Sequence, residues 1–496
     1  MDAEPLQEDV GSLSIQTVEA GRVKADRKVR SLGRRGAAAT RALAIPLAFT
    51  LGLASFTLLD SVQQNIGLWR SFVGAVAVLL AWNAALAVSA LRSGRTLAVD
   101  VVLRKQHYLQ ACAQGSVLVY WGWYWREVYA WAYLLAAQLL FAYAFDMLLS
   151  WARRDRYTFG FGPFPVIFSI NLFLWFRPDW FYMQFLLVAL GFAAKELIRW
   201  HKDGHPAHIF NPSSFPLAVF SIALLVTGRT DMTWGQDIAS TQFYPPHIYL
   251  FLFLIGLPGQ YVFGVTTMTM SAVVTTYLFG LLYYAATGIY FFYDSYIPIA
   301  VFLGMHLLFT DPSTSPRTEL GRLIFGALYG LSTVALYAAL GHMGLPTFYD
   351  KLLPVPILNL SVRFIDRAMR SISLPRQPHL AWISAWAIVF AVMSAVHGVG
   401  DDHRGQWLPF WQQACAEGRP YACSYVERII VDDCDRGSTW ACGELQRPHS
   451  EANGRPTLED YPIVLRGSKG PITDVSRAGL EALACREGWP GTCPPR

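Results

Sequence analysis

Charge is what this sequence has least of. Only 15% of its 496 residues are Asp, Glu, Lys or Arg, against 53% hydrophobic, where soluble domains carry about 25% charged residues. That shortage excludes an ordinary soluble enzyme. The motifs of soluble catalysis are missing as well: no G-x-G-x-x-G behind a strand, no Walker loop, no H-E-x-x-H and no G-x-S-x-G. Cysteine is nearly absent until the end, six of the seven lying beyond residue 400.

In place of charge stand long apolar runs, each able to cross a hydrocarbon core of about 30 Å. They predict thirteen spans, at 43–60, 68–92, 108–125, 128–150, 163–177, 180–199, 210–227, 246–263, 266–286, 288–310, 319–343, 346–365 and 381–398. Aromatic residues at 14% suit the belts of a bilayer interface. The expected fold is therefore an all-α polytopic membrane protein, with the lipid bilayer as its first partner.

Residues 1–42 read as a disordered cytoplasmic tail. Its basic cluster (Arg22, Lys24, Arg27, Lys28, Arg30, Arg34, Arg35, Arg41) favours retention inside, rather than a nucleic-acid arm. About 40 polar residues before the first apolar run exclude a cleavable signal peptide. The connections after even-numbered spans are basic: LRSGRTLAVDVVLRK, WARRDR, KELIRWHKDGH, TDPSTSPRTELGR and RFIDRAMRSISLPR. The positive-inside rule places them in the cytoplasm. An odd number of spans then puts everything after residue 398 outside, as expected for a multi-pass protein of a bacterial inner membrane.

The C-terminal tail, 401–496, supports that placement independently. Its cysteines fall in CAEGRPYAC (Cys415, Cys423), CDRGSTWAC (Cys434, Cys442) and CREGWPGTC (Cys485, Cys493), each Cys-x-x-Gly-x-x-x-x-Cys. The spacing is not that of zinc knuckles, and no paired His accompanies it. It suits disulfides joining two helices across a Gly turn, hence an oxidising compartment. The pattern resembles cysteine-bridged Sel1-like repeats, TWACGEL most closely. We expect a small helical exoplasmic appendage.

Three irregular polar segments at helix ends are the candidate sites. In KELIRWHKDGHPAHIFNPSSFPLAVF (195–220), Asn211 can cap a helix and Pro212 fits its first turn. His201, His205 and His208 precede it, but Gly204 and Pro206 keep a regular helix from aligning them on a metal, and none is expected. In GLPGQYVFGVTTMTMSAVV (256–274), Gly256, Pro258, Gly259 and Gly264 are expected to break the helix before Thr266, Thr267 and Thr269. In MHLLFTDPSTSPRTELGR (305–322), Asp311-Pro312 forces a turn, Thr310, Ser313, Thr314 and Ser315 supply hydroxyls, and Thr318 can cap the next helix.

Taken together, K-E…FNP, G-x-P-G…G and TDP-x-TSP-x-T-x-x-GR-x-x-FGALYG resemble the NqrB/RnfD family, membrane subunits of sodium-translocating NADH:quinone reductase and of the Rnf electron-transport complex. Stand-alone relatives of the enediyne-biosynthesis UnbU type are the nearest in character. The resemblance covers about 108–370 and implies a ten-helix core there, flanked by two extra helices at 43–107 and one at 371–400. It implies a flavin-bearing electron-transfer subunit with other membrane or exoplasmic electron-transfer partners, coupled in the family to ion movement. FMN, covalently on Thr241, or riboflavin would be the cofactor. Lys195, Asn211, Ser213, Thr266, Thr267, Thr310, Asp311, Ser313 and Thr314 would line its site. Two departures stand out: DIAST (237–241) lacks the family's Gly-Ala before the Thr, and Val265 stands where the family has Glu. They favour the alternative, a cofactor-free transporter or scaffold of the same fold, serving for example natural-product biosynthesis or export.

Overall fold

The computed structural model describes residues 39–397, apart from 126, 203–204, 243–244, 246, 288–290, 293–295 and 373–377, together with Gln446. The basic tail as far as residue 38 and the six paired-pattern cysteines lie outside the described residues.

The described residues are mostly helical, as expected of an all-α membrane protein. Among the described residues, six helices are long and apolar enough to cross a membrane. They are α2 (Ile66–Ser93), α4 (Ala132–Arg153), α6 (Phe181–Leu197, with the 3₁₀ turn before it), α10 (Thr266–Thr287), α12 (Glu319–His342) and α14 (His379–His397). Between them lie α1 (Ala39–Ser55), α3 (Lys105–Tyr124), α5 (Pro163–Asn171), α7 (Ser214–Thr227), α8 (Gly235–Thr241), α9 (Ile248–Phe263), α11 (Ile299–Leu307) and α13 (Pro354–Ala368). Two small ribbons complete the fold. Strand β1 (Ala98–Val101) pairs in parallel with β2 (Arg156–Phe159), and β3 (Arg199–Lys202) runs antiparallel to β4 (His205–His208). Only 17% of the apolar window of α14 is buried, with Leu380, Ile388 and Val396 each about two-thirds exposed. An all-round apolar helix so exposed is stable facing lipid, not water.

Several expected spans turn out interrupted. The 163–177 run is helical only to Asn171; residues 172–176 continue as irregular, wholly buried backbone. The 346–365 run divides into a 3₁₀ turn (Thr347–Lys351) and α13, with Pro354 and Pro356 in the first turn of α13, where a missing N–H costs least. Conversely, Gly256, Pro258 and Gly259 do not break α9, which runs through them to Phe263 and ends at Gly264, in the left-handed region with φ 66°.

Between Lys105 and Ala368 there are ten helices of nine or more residues among the described ones, and they form two matching sets of five. The first set is α3, α4, α5, α6 and α7; the second is α9, α10, α11, α12 and α13. In both, the third helix is nine residues long and starts at or just after a proline. In both, the first helix packs on the third, the second on the third and fourth, and the fourth on the fifth. The sets meet first helix to first (α3 on α9) and fifth to fifth (α7 on α13). Helices α1 and α2 pack outside this duplication against α4 and α6, and α14 packs against α9 and α10.

Candidate functional site

The two short helices organise the interior. Nine residues rise about 13 Å at 1.5 Å each, less than half a bilayer core. All nine residues of α11 are buried, and Leu172 to Phe176 after α5 are at most 2% exposed. The carbonyls released at each C-terminus need donors, since buried backbone acceptors are costly to leave unpaired. Side-chain amides supply them. Gln242 Nε2 donates to Leu172 O (2.7 Å), Gln114 Nε2 to Leu307 O (3.3 Å) and Asn211 Nδ2 to Leu308 O (2.9 Å). Ser169 on α5 also reaches Leu307 O, at 3.5 Å, so the two half-helices meet. A chain of buried amides runs alongside: Gln138 and Asn171 exchange bonds at 2.8 and 3.0 Å, and Gln184 Nε2 donates to Gln138 Oε1 at 3.1 Å.

Beyond α11 the TDPSTSP turn closes on itself. Asp311 Oδ1 accepts from Ser313 N (2.9 Å) and Ser313 Oγ (2.5 Å), and Asp311 O accepts from Ser315 Oγ (2.6 Å) and Thr314 Oγ1 (3.4 Å). Thr310 Oγ1 donates back to His306 O (3.1 Å), and Thr318 caps α12 through Gly321 N. From β4, His208 Nε2 faces both Asp311 Oδ2 (3.1 Å) and Ser313 Oγ (2.9 Å). Burial acts to raise the Asp311 carboxyl, but the His208 bond and charge and the two Ser313 donors outweigh it and hold the group down at about 2.

A native pKa below the unfolded value of 3.8 stabilises the fold above that pH, and the contribution is lost as pH falls from about 4 towards 2. The wild type should therefore lose melting temperature across that window more steeply than Asp311→Asn. Parallel pH–melting curves for the two proteins would exclude this role for the pair.

Asn211 joins the first polar segment to the third. Its Oδ1 accepts from Ser213 N (3.0 Å), Ser214 N (3.2 Å) and Ser213 Oγ (2.8 Å), the expected cap, although the regular helix begins at Ser214. Its backbone N donates to Asn359 Oδ1 (3.1 Å), and Asn359 Nδ2 donates to Thr314 O (3.3 Å). Asn359, the tie from α13, was not among the expected residues. The second segment joins less directly: Thr267 Oγ1 donates to Glu319 Oε2 (2.9 Å), while Arg322 holds Glu319 Oε1 (3.0 Å). Lys195 stands apart, 3.7 Å from Asp146 and over the Phe192 ring.

Thr241 is at the other end of α6. Its helix, α8, is tethered to the start of α6 by Asp237–Arg177 (3.7 Å), while His208 and Asp311 lie beyond the end of α6, a length of about 25 Å. Thr241 is 3% exposed, and its hydroxyl accepts from Trp121 Nε1 (3.0 Å) and donates to Ile238 O (3.4 Å). A phosphoester would require that oxygen turned outward. Among the residues expected to line a flavin, only Thr266 keeps a buried hydroxyl without a partner; the others are paired with groups elsewhere in the protein or within their own turn. These residues do not fit a flavin in this arrangement.

Sequence reasoning also passed over a buried ion pair, Asp350–Lys351, each side chain 3% exposed. Tyr329, near the middle of the 24-residue α12, donates to Lys351 O (3.0 Å), so the pair sits at mid-helix depth. Its signal was two charges inside the apolar run FYDKLLPVPIL; ionisable residues at such depth mark function by default. Among the described residues no group of His, Cys, Asp and Glu could hold a metal.

No family model, curated protein or solved structure matches the chain.

Proposed function

We propose that the chain is a membrane translocation protein, a cofactor-free transporter on an NqrB/RnfD-like core. The observation that carries this reading is the pair of buried nine-residue helices at the third place of each five-helix set. Short, interrupted apolar segments at matching positions of two repeats mark the substrate site of transporters. If each set crosses the bilayer five times, the second is inverted relative to the first, and the half-helices enter from opposite sides. Irregular backbone at membrane depth is tolerated where it is enclosed in protein or lines a path. Multi-pass insertion in a bacterial inner membrane, amino terminus inside and cysteine-rich tail outside, follows from the charge pattern.

Reconstituted into proteoliposomes, the full chain should accelerate entry of at least one solute class over protein-free vesicles. Failure with ions, sugars and small uncharged solutes alike would sink the reading. The second reading, a flavin-dependent electron-transfer subunit with exoplasmic partners, draws on the ten helices and the TDPSTSP turn. Acid and detergent extraction of the purified protein decides between them: released flavin fluorescence would favour electron transfer.

A further inference from the structure

Four polar atoms are left unpartnered where α9, α11 and α14 meet. They are His306 Nε2, both amide atoms of Gln260, and Trp386 Nε1, on residues 2%, 1% and 0% exposed. A buried polar atom without a hydrogen bond is expensive, and native interiors keep few of them. Their convergence is shown by Gly256: a Cβ built there would lie 3.1 Å from Gln260 Nε2 and 3.2 Å from the His306 ring. The Trp386 ring centroid is 6.0 Å from that of His306. Phe302 packs on the same ring, 4.2 Å between centroids.

The chemistry of the set is specific. His306 Nδ1 lies 2.8 Å from Phe302 O, a carbonyl that can only accept, so Nδ1 carries the proton and Nε2 presents a lone pair. Gln260 offers one acceptor and one donor group, and Trp386 one donor. No full charge is in the set, and the walls are aromatic. A cation would meet the indole N–H and an anion the imidazole lone pair, each unfavourably. A Cβ at Gly256 would already crowd Gln260 and His306, which disfavours a large ring there. What satisfies all four atoms is small, uncharged, and both donor and acceptor.

We propose that Gln260, His306 and Trp386 form the binding site for a small uncharged amide- or alcohol-class solute on the translocation path. This rests on the transport reading above. His306 lies one residue before Leu307, whose carbonyl joins the two half-helices, so the site adjoins the repeat interface where that reading expects the substrate. Helix α14, outside the duplication, closes its lipid side through Trp386 and through Phe390, stacked at 4.1 Å on Phe253 of α9.

Stopped-flow light scattering of proteoliposomes under inward gradients of formamide, glycerol or sodium chloride tests this. Formamide or glycerol should enter faster than into empty vesicles, with sodium chloride excluded. Gln260→Leu and His306→Leu should each slow entry at least about tenfold, the worth of one lost hydrogen bond. His306→Gln, which keeps an acceptor, should restore part of the rate. Melting temperatures within a few degrees of wild type show that the leucine variants are folded. If a variant does not fold, a block of uptake by mercurial labelling of Cys introduced as Gly256→Cys takes its place. Uptake of water alone, or solute uptake indifferent to Gln260→Leu, His306→Leu and the Gly256→Cys label, would overturn the site. Transport of ions only would overturn it while leaving the transport reading standing; no transport of any solute would overturn both.

Discussion

A Lys351→Met variant is expected to lose about 3–5 kcal/mol of stability, the cost of stranding one charge of a buried pair. In the parent, Lys351 Nζ lies 3.4 Å from Asp350 Oδ1, donates to Phe348 O and sits 4.1 Å from the centre of the Phe348 ring. Methionine keeps most of the apolar stem and removes the charge together with the donor to Phe348 O. Asp350 would then face an apolar interior with its backbone bond from Lys351 N, 2.7 Å long, as its remaining support. The double variant Asp350→Asn/Lys351→Met should recover most of the loss, because neutral groups of similar volume replace a buried pair at little cost. Thermal melting and SDS-titration unfolding of the purified chain measure both. A single variant as stable as the parent would mean that water already reaches the pair.

That pair illustrates what was legible in the sequence and what was not. Apolar length read correctly wherever one helix fills one run, as in α2, α4, α10 and α12, because hydropathy reports depth directly. It could not show where α5 stops. LFLWF (172–176) is as apolar as the helix before it, and the backbone leaves the helix there because Gln242 can cap Leu172 O, a residue seventy positions away. The Asn211 cap was visible, since Asn-Pro-Ser-Ser encodes a helix start locally. Its tie to Asn359 was not, being a contact across 148 positions. Gly and Pro in 256–264 suggested a broken helix, yet only Gly264 ends one. Gly256 instead makes room for His306 and Gln260, polar residues that within an apolar run read as ordinary span interior. The duplication likewise surfaced only from which helices touch, the two sets having no common residue pattern beyond their proline-led third helices.

Replacing Gly326 by valine should be the most disruptive change in the bundle that leaves every charge in place. Gly326 and Gly330 form a G-x-x-x-G step on α12, in FGALYG, and such steps let two helix backbones approach closely. A Cβ at 326 would stand 2.1 Å from Met268 O of α10, and one at 330 only 2.8 Å from Ala272 O and from Thr276 Oγ1. The obstacle at 326 is backbone, which cannot swing aside as a side chain can. The helices would have to part, at a cost of about 3 kcal/mol or more, the upper range of overpacking effects. Separation would also lengthen two bonds between them, Ser271 Oγ to Leu323 O (2.6 Å) and Thr267 Oγ1 to Glu319 Oε2 (2.9 Å). Gly74→Val on α2 is the control, because a Cβ there meets nothing within 4 Å. Melting of the purified proteins should place Gly326→Val far below Gly74→Val, with yield of folded protein falling in step. Equal stability of the two variants would show that α10 and α12 do not need contact at their backbones.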